Sequence, residues 1–294
     1  METAELLKRV RKIEIKTKGL SQHIFAGQYH SAFKGRGMAF SEVREYRYGD
    51  DIRSIDWNVT ARYNKPHVKI FEEERELTVM LLIDVSGSGQ FGSTTLKRQT
   101  ATEIAAVLAF AAIHNNDKIG VILFSDRIDK FIPPQKGRQH ILRIISELLH
   151  HEPTGSGTNI AEALRFLTNT TKKRCTAFVI SDFIDVDAAT GSPNFADALT
   201  IASNKHDLVG IRVFDQRETV MPAVGLVKFK DAESGGYQWV DTSSPAVRAG
   251  YARWWNDTTE RLKAAFTRAQ VDWTAISTDE DYVKPLLLLF KRRA

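Results

Sequence analysis

An almost wholly apolar run at residues 77–83 leads directly into a polar loop at residues 84–88, and this succession admits few architectures. An apolar run without alternation is typical of a strand that is buried on both faces of a parallel sheet. In the loop that follows, Asp84, Ser86 and Ser88 occupy alternate positions. Ligands of open α/β sheets bind where the strands end, so these side chains are candidates for a binding site.

The chain from residue 76 onward alternates between strand and helix patterns. Predicted strands cover residues 77–84, 119–124, 128–132, 176–181, 208–214 and 271–276. Predicted helices cover residues 96–114, 138–150, 159–168, 194–204, 246–269 and 279–291. Such alternation favours an α/β three-layer sandwich with a mostly parallel sheet. The short turn at residues 125–127 predicts a hairpin, which would place one antiparallel strand at an edge of the sheet.

The predicted domain organisation is one core domain with an extension before it. Residues 1–75 lack a continuous α/β pattern and are interpreted as an N-terminal extension packed on the core, and residues 76–294 form the core domain. Residues 219–242, about a turn rich in glycine, are predicted to be an inserted hairpin. A chain of 294 residues that is 43% hydrophobic can bury one good core and still support such an extension.

Two later loops offer further oxygen donors for the same edge of the sheet. Thr158 follows a glycine-rich loop and precedes a helix, and Asp182 ends the apolar strand that precedes it. Hydroxyl and carboxylate oxygens are hard ligands that suit Mg²⁺ or Mn²⁺. Each residue alone has an ordinary explanation as a turn residue or helix cap. A single metal site explains all of them together, and its predicted ligands are Asp84, Ser86, Ser88, Thr158 and Asp182.

This arrangement resembles the metal-ion-dependent adhesion site of von Willebrand factor A domains, which combines Asp-x-Ser-x-Ser with a later Thr and a later Asp. The resemblance implies that Ser86 and Ser88 bind the cation directly and that Thr158 does so directly or through water. It implies that Asp84 and Asp182 act largely through water, as outer carboxylates do. An acidic side chain of a protein partner would then fill an open coordination position.

The segment before the core and the inserted hairpin contain motifs that resemble a second signature. These motifs cover residues 35–40, 44–46, 49–53, 55–62, 222–225, 231–235 and 240–242. Together they resemble the signature of the domain of unknown function 58 family, which are bacterial von Willebrand A-like proteins. That resemblance implies a non-enzymatic adaptor that works with a MoxR-type AAA+ ATPase, or its client, in protein remodelling or complex maturation.

A dinucleotide-dependent oxidoreductase is the alternative function. Gly87, Gly89 and Gly92 form a Gly-x-Gly-x-x-Gly pattern between a strand and a helix. The acidic residue expected about 20 residues later is not clearly placed, and Asp84 would lie under the pyrophosphate. This interpretation also leaves the two later oxygen donors unused.

The composition limits the cellular compartment and the class of partner that we expect for this protein. A single cysteine, Cys175, permits no internal disulfide and favours a reducing environment, where it is expected to be buried packing. Residues 1–20 lack an apolar segment, and no apolar run reaches the roughly 18 residues of a membrane span. The net charge of +5 is mild, and the basic clusters at residues 8–12 and 291–293 are interpreted as solvated helix ends. We therefore expect a cytoplasmic protein without a membrane span or a nucleic-acid partner.

Overall fold

A computed structural model gives the fold of most of the chain. It describes residues 29, 39–72, 77–93, 95–153, 155, 157–187, 189–230 and 236–293. The described residues divide into two compact units, one within residues 33–77 and the other comprising Tyr29 and the residues from 78 onward. Most of the predicted extension before residue 39 lies outside the described residues, and its packing on the core stays a prediction.

The small unit is a two-stranded sheet with a helix in its connection. It contains strand β1 (Ala39–Glu45), helix α1 (Trp57–Tyr63) and strand β2 (His67–Glu72), with β1 and β2 antiparallel. Asp56 caps α1 by accepting hydrogen bonds from the backbone N–H groups of Asn58 and Val59. Arg44 donates two hydrogen bonds, of 2.8 and 2.7 Å, to the carboxylate of Asp50 and so fixes the turn after β1.

The large unit is built on a six-stranded sheet and a separate hairpin. Its strands are β3 (Thr78–Asp84), β4 (Lys118–Phe124), β5 (Ile128–Gln135), β6 (Thr176–Ser181), β7 (Asp207–Phe214), β8 (Leu226–Lys230), β9 (Tyr237–Asp241) and β10 (Asp272–Ser277). Its helices are α2 (Lys97–His114), α3 (Arg138–His150), α4 (Ile160–Thr170), α5 (Ala196–Lys205), α6 (Gln216–Thr219), α7 (Pro245–Arg268) and α8 (Val283–Arg293).

The sheet has the order β10-β7-β6-β3-β4-β5, in which all neighbours are parallel except β4 and β5. The predicted mostly parallel sheet with one antiparallel edge strand is therefore confirmed. Met80 and Leu82, on one face of β3, belong to the same buried cluster as Leu164 of α4, Leu199 of α5 and Phe266 of α7. The alternate residues of β3 are buried as well, on the face where α2 contacts the strand.

The inserted hairpin presents an exposed aromatic face. β8 pairs antiparallel with β9, and Lys228 lies opposite Trp239. The Lys228 ammonium is 4.3 Å from the centre of the Tyr237 ring, and both Tyr237 and Trp239 are 61% exposed. The turn predicted for this hairpin lies mostly outside the described residues.

Cys175 and His206 are buried side by side where β6 and β7 begin. The Cys175 sulfur lies 3.3 Å from Nδ1 of His206. Burial raises the pKa of Cys175 to about 12, so the thiol is inert packing, as predicted. Burial, with help from Lys205 and Arg174, lowers the pKa of His206 to about 4.

We expect this histidine to make the protein less stable in acid. His206 is neutral in the folded protein, whereas the unfolded chain takes up a proton below about pH 6.5, so its contribution to stability is complete above that pH and is lost as the pH falls toward 4. Urea unfolding of the wild type should therefore lose about 1–2 kcal/mol more between pH 7.5 and pH 5 than unfolding of His206→Gln. Equal losses in both proteins would contradict this account.

Candidate metal centre

Asp84 is held in place by the loop that follows it and by the end of the adjacent strand. It is the last residue of β3, and its Oδ1 accepts a hydrogen bond of 2.9 Å from the backbone N–H of Ser86. Its Oδ2 accepts one of 2.6 Å from the hydroxyl of Ser181, at the end of the adjacent strand β6. Each carboxylate oxygen keeps a further lone pair for water or a cation.

Ser86 and Ser88 bring two hydroxyls together directly after Asp84. Their Oγ atoms are 3.1 Å apart, across a single turn of 3₁₀ helix that covers Gly87–Gln90. Ser86 is buried, and although it precedes the turn as its N-cap residue, its side chain makes no capping hydrogen bond. Its hydroxyl is thus left to face the hydroxyl of Ser88.

Asp182 follows β6 and is anchored as firmly as Asp84. Its Oδ1 accepts a hydrogen bond of 3.1 Å from the backbone N–H of Ile184. Its Oδ2 lies 2.8 Å from the ammonium of Lys97, the first residue of α2. The next residue, Phe183, has a φ of 57°, a left-handed conformation that is rare for a bulky side chain. The chain therefore turns sharply at the point where it presents Asp182.

Thr158 reaches the same edge of the sheet from a third loop. Asn159, the next residue, donates its backbone N–H to the carbonyl of Ser125 at the end of β4, and Ile160 donates to Asp185 beyond β6. The cap of helix α4 is Asn159, whose side chain accepts from the N–H of Glu162. The capping role considered for Thr158 is thus filled by its neighbour, and the Thr158 hydroxyl is buried with no hydrogen-bond partner in the part of the chain that the structure describes.

A glycine allows this third loop to pass close to the end of β4. A side chain at Gly155 would overlap the carboxylate of Asp126, which Arg127 holds with a hydrogen bond of 3.0 Å from its Nε. Any larger residue here would have to displace the Asp126 carboxylate and the Ser125 hydroxyl. The close approach brings the loop alongside Ser125, the anchor of the segment that carries Thr158.

The electrostatics of the two carboxylates differ. Burial, together with the negative charge of Asp182, raises the pKa of Asp84 to about 6, against the opposing hydrogen bonds from Ser181 and Ser86. Burial also acts to raise the pKa of Asp182, but the Lys97 ammonium outweighs it, and the net shift is downward. One carboxylate therefore lacks a compensating cation in the protein alone, while the other has one.

The structure joins three of the five predicted ligands, Asp84, Ser86 and Ser88, by hydrogen bonds and places Asp182 and Thr158 at the same edge of the sheet. Asp182 directly follows Ser181, whose hydroxyl donates to Asp84. No hydrogen bond within the described part of the chain joins any of these residues to Thr158. Two carboxylates and three hydroxyls, one of them buried and unsatisfied, fit a small hard cation such as Mg²⁺.

Sequence reasoning missed three residues of this centre. Lys97 pairs with Asp182 and also with Glu218 of α6, at 2.6 Å, and Ser181 links Asp84 to the Phe183 turn by accepting from the Phe183 N–H. One signal was available for Lys97. A lysine at the first position of a helix meets the positive end of the helix dipole, so it requires another source of stabilisation.

The glycine pattern does not form the turn expected of a dinucleotide site. In that fold the helix begins within the motif, so its first N–H groups meet the pyrophosphate. Here Gly87 and Gly89 lie in the 3₁₀ turn, and α2 begins only at Lys97, five residues after Gly92. The first side chain of that helix is already engaged with Asp182, so the geometry does not favour the oxidoreductase alternative.

The chain is similar to one family model, to curated relatives and to solved structures. The family described as "Protein of unknown function DUF58" matches residues 42–261. The uncharacterized protein Rv1480 of Mycobacterium tuberculosis is 31% identical over 257 residues, which cover 86% of this chain and 78% of that protein. An aerotolerance-related membrane protein of Bacteroides fragilis is similar in structure with a TM-score of 0.48 and 16% identity, over 74% of this chain and 98% of the other. A von Willebrand factor type A protein of Catenulispora acidiphila gives a TM-score of 0.41 and 12% identity, over 78% and 43% of the two chains.

Proposed function

Because the chain belongs to the DUF58 family and gathers oxygen donors at the carboxyl edge of its sheet, we propose that it is a divalent-cation-dependent protein-binding adaptor. Its task is recognition rather than catalysis. The partner presents an Asp or Glu side chain to a cation held by Ser86, Ser88 and Thr158. Asp84 and Asp182 orient the water and the hydroxyls around that cation.

The observation that carries this proposal is the buried hydroxyl of Thr158, which has no hydrogen-bond partner among the described residues, at the same edge of the sheet as the other four donors. A buried hydroxyl without a partner costs stability, so its presence calls for a ligand that it can bind. The raised pKa of Asp84 supports the same conclusion, because a divalent cation would offset the repulsion between the two carboxylates. Three of the five donors are neutral hydroxyls, which leave much of the charge of the cation to attract an acidic partner.

The family likeness supplies the partner class. We propose that the partner is a MoxR-type AAA+ ATPase, a client of that ATPase, or both, and that the complex works in the cytoplasm. None of the described helices combines the length and the apolar character needed to cross a bilayer. The cation bound at the carboxyl edge of the sheet would act as a Lewis acid that accepts a carboxylate oxygen from the partner.

A single hydroxyl provides the test. Thr158→Val removes the oxygen and keeps the branched shape, and it breaks no hydrogen bond to any residue that the structure describes. We expect its free energy of unfolding in EDTA to match or slightly exceed that of the wild type. In a pull-down with a purified MoxR-type ATPase, we expect the wild type to retain the ATPase in Mg²⁺, and Thr158→Val to retain much less.

The matched control is Thr168→Val on the following helix, because the Thr168 hydroxyl donates to the carbonyl of Leu164 in the same helix. It should retain the ATPase as the wild type does. Equal retention by Thr158→Val would contradict the role of the cation, because the Mg²⁺ requirement would then belong to the ATPase. Failure of the wild type to retain the ATPase in Mg²⁺ would contradict the proposed partner.

A further inference from the structure

We propose that Lys97 is a built-in competitor of the divalent cation at Asp182, with Glu218 as the second carboxylate that holds its ammonium. This proposal rests on the metal site proposed above and concerns how tightly that site binds its cation. In the cation-free protein the lysine supplies the positive charge that Asp182 requires. The affinity for the metal then reflects how much more strongly the carboxylate of Asp182 binds the metal cation than the ammonium of Lys97.

The geometry of Lys97 is that of an internal counter-ion. Its side chain is 4% exposed, and its Nζ lies 2.8 Å from Asp182 Oδ2 and 2.6 Å from Glu218 Oε1. The Asp182 side chain is equally buried, and that of Glu218 is 14% exposed. An ammonium removed from water in this way depends on nearby carboxylates for its stabilisation.

The position of Lys97 in the chain favours this role over a structural accident. It is the first residue of α2 and directly follows the loop that carries the predicted metal ligands. Positive charge at a helix N-terminus is unfavourable, so the helix does not account for a lysine there. Its side chain is buried, and its ammonium contacts Asp182, which is also a predicted metal ligand.

Glu218 is rigidly presented to the lysine. Its other carboxylate oxygen, Oε2, accepts a hydrogen bond of 2.9 Å from the backbone N–H of Asp215, which completes a capping box at α6. The hydroxyl of Tyr251 donates to the Glu218 carbonyl at 2.7 Å. Because Glu218 is fixed by these contacts, the ammonium retains a carboxylate partner when a metal cation takes over the charge of Asp182.

Two variants shift the competition in opposite directions. Lys97→Met keeps the length of the side chain and removes its charge, so repulsion toward the incoming cation disappears. We expect isothermal titration with MgCl₂ to give a dissociation constant on the order of ten-fold lower than that of the wild type. Glu218→Gln preserves the capping box, since glutamine also accepts from the Asp215 N–H, but leaves the ammonium dependent on Asp182 alone. We expect this variant to bind Mg²⁺ several-fold more weakly.

Thermal unfolding provides a second readout. Without Mg²⁺, Lys97→Met should melt below the wild type, because Asp182 and Glu218 lose their shared cation. Mg²⁺ should raise its melting temperature by more than it raises that of the wild type. A purely structural ion pair would instead leave the Mg²⁺ response of Lys97→Met unchanged or weaken it.

The outcomes separate the two proposals. Wild-type binding of Mg²⁺ with equal or weaker binding by Lys97→Met overturns the competition and leaves the metal site standing. Binding by Lys97→Met alone supports the competition, since the lysine then blocks the site outright. If neither protein binds Mg²⁺, both proposals are overturned. Should Lys97→Met fail to fold by circular dichroism, Glu218→Gln decides the matter, and tighter or unchanged binding by it overturns the competition.

Discussion

Alanine at position 84 is expected to abolish measurable Mg²⁺ binding, with a loss of at least about 100-fold in affinity, while the protein remains folded. Asp84 carries the charge that the protein itself leaves uncompensated, and both of its oxygens are aimed by Ser86 and Ser181. Its raised pKa means that ionised Asp84 is unfavourable in the cation-free protein, so its removal relieves part of the cost of the two lost hydrogen bonds. We expect the free energy of unfolding in EDTA to change by less than about 2 kcal/mol.

Calorimetric titration with MgCl₂ and urea unfolding in EDTA check the two halves of this expectation. Asp257→Ala is the matched control, because Asp257 is an exposed aspartate on α7 and should bind Mg²⁺ as the wild type does. Ser181→Ala should fall between them, at about a ten-fold loss, because it removes the hydroxyl that orients Asp84 Oδ2. Wild-type affinity in Asp84→Ala would contradict the metal centre itself.

The sheet was predictable because its buried strands carry their own signal. The strands around Leu82 and Val179 are apolar without interruption, which only a sheet covered on both faces permits. The edge strand β5 was likewise predicted, although the structure extends it to Gln135, beyond the apolar part of its pattern. Antiparallel pairing with β4 supplies hydrogen bonds to residues that hydrophobicity alone does not assign to a strand.

The candidate centre was predictable only in its oxygen donors. Their position follows from a rule of chain topology, because parallel strands all end at one edge. Lys97 and Glu218 are 121 residues apart. No local sequence pattern predicts this pair, because it depends on the packing of α2 against the segment after β7. Ser181 was passed over for a similar reason. Its role arises from a hydrogen bond to Asp84 on the neighbouring strand, which exists only once β3 and β6 are paired.

A second large effect is expected at Phe183, the residue that turns the chain behind Asp182. Its ring is fully buried and packs on Phe195 and Phe266, with ring centres 5.8 and 5.2 Å away. Phe183→Ala should lower the free energy of unfolding by about 3–5 kcal/mol through the cavity that it leaves. Phe183→Gly leaves a similar cavity but relaxes the left-handed backbone, so it should be about 1 kcal/mol more stable than Phe183→Ala.

A glycine variant that is more stable than the alanine variant is unusual. Phe195 provides the matched comparison. Phe195 is buried in the same cluster, but its φ of −97° is ordinary. There we expect the usual order, with Phe195→Gly less stable than Phe195→Ala, because glycine adds only the entropy of a more flexible unfolded chain. Urea unfolding of the four variants therefore isolates the backbone strain at Phe183 from the loss of its ring. If glycine is the worse substitution at both positions, the turn that presents Asp182 is not strained, and its left-handed conformation costs the protein nothing.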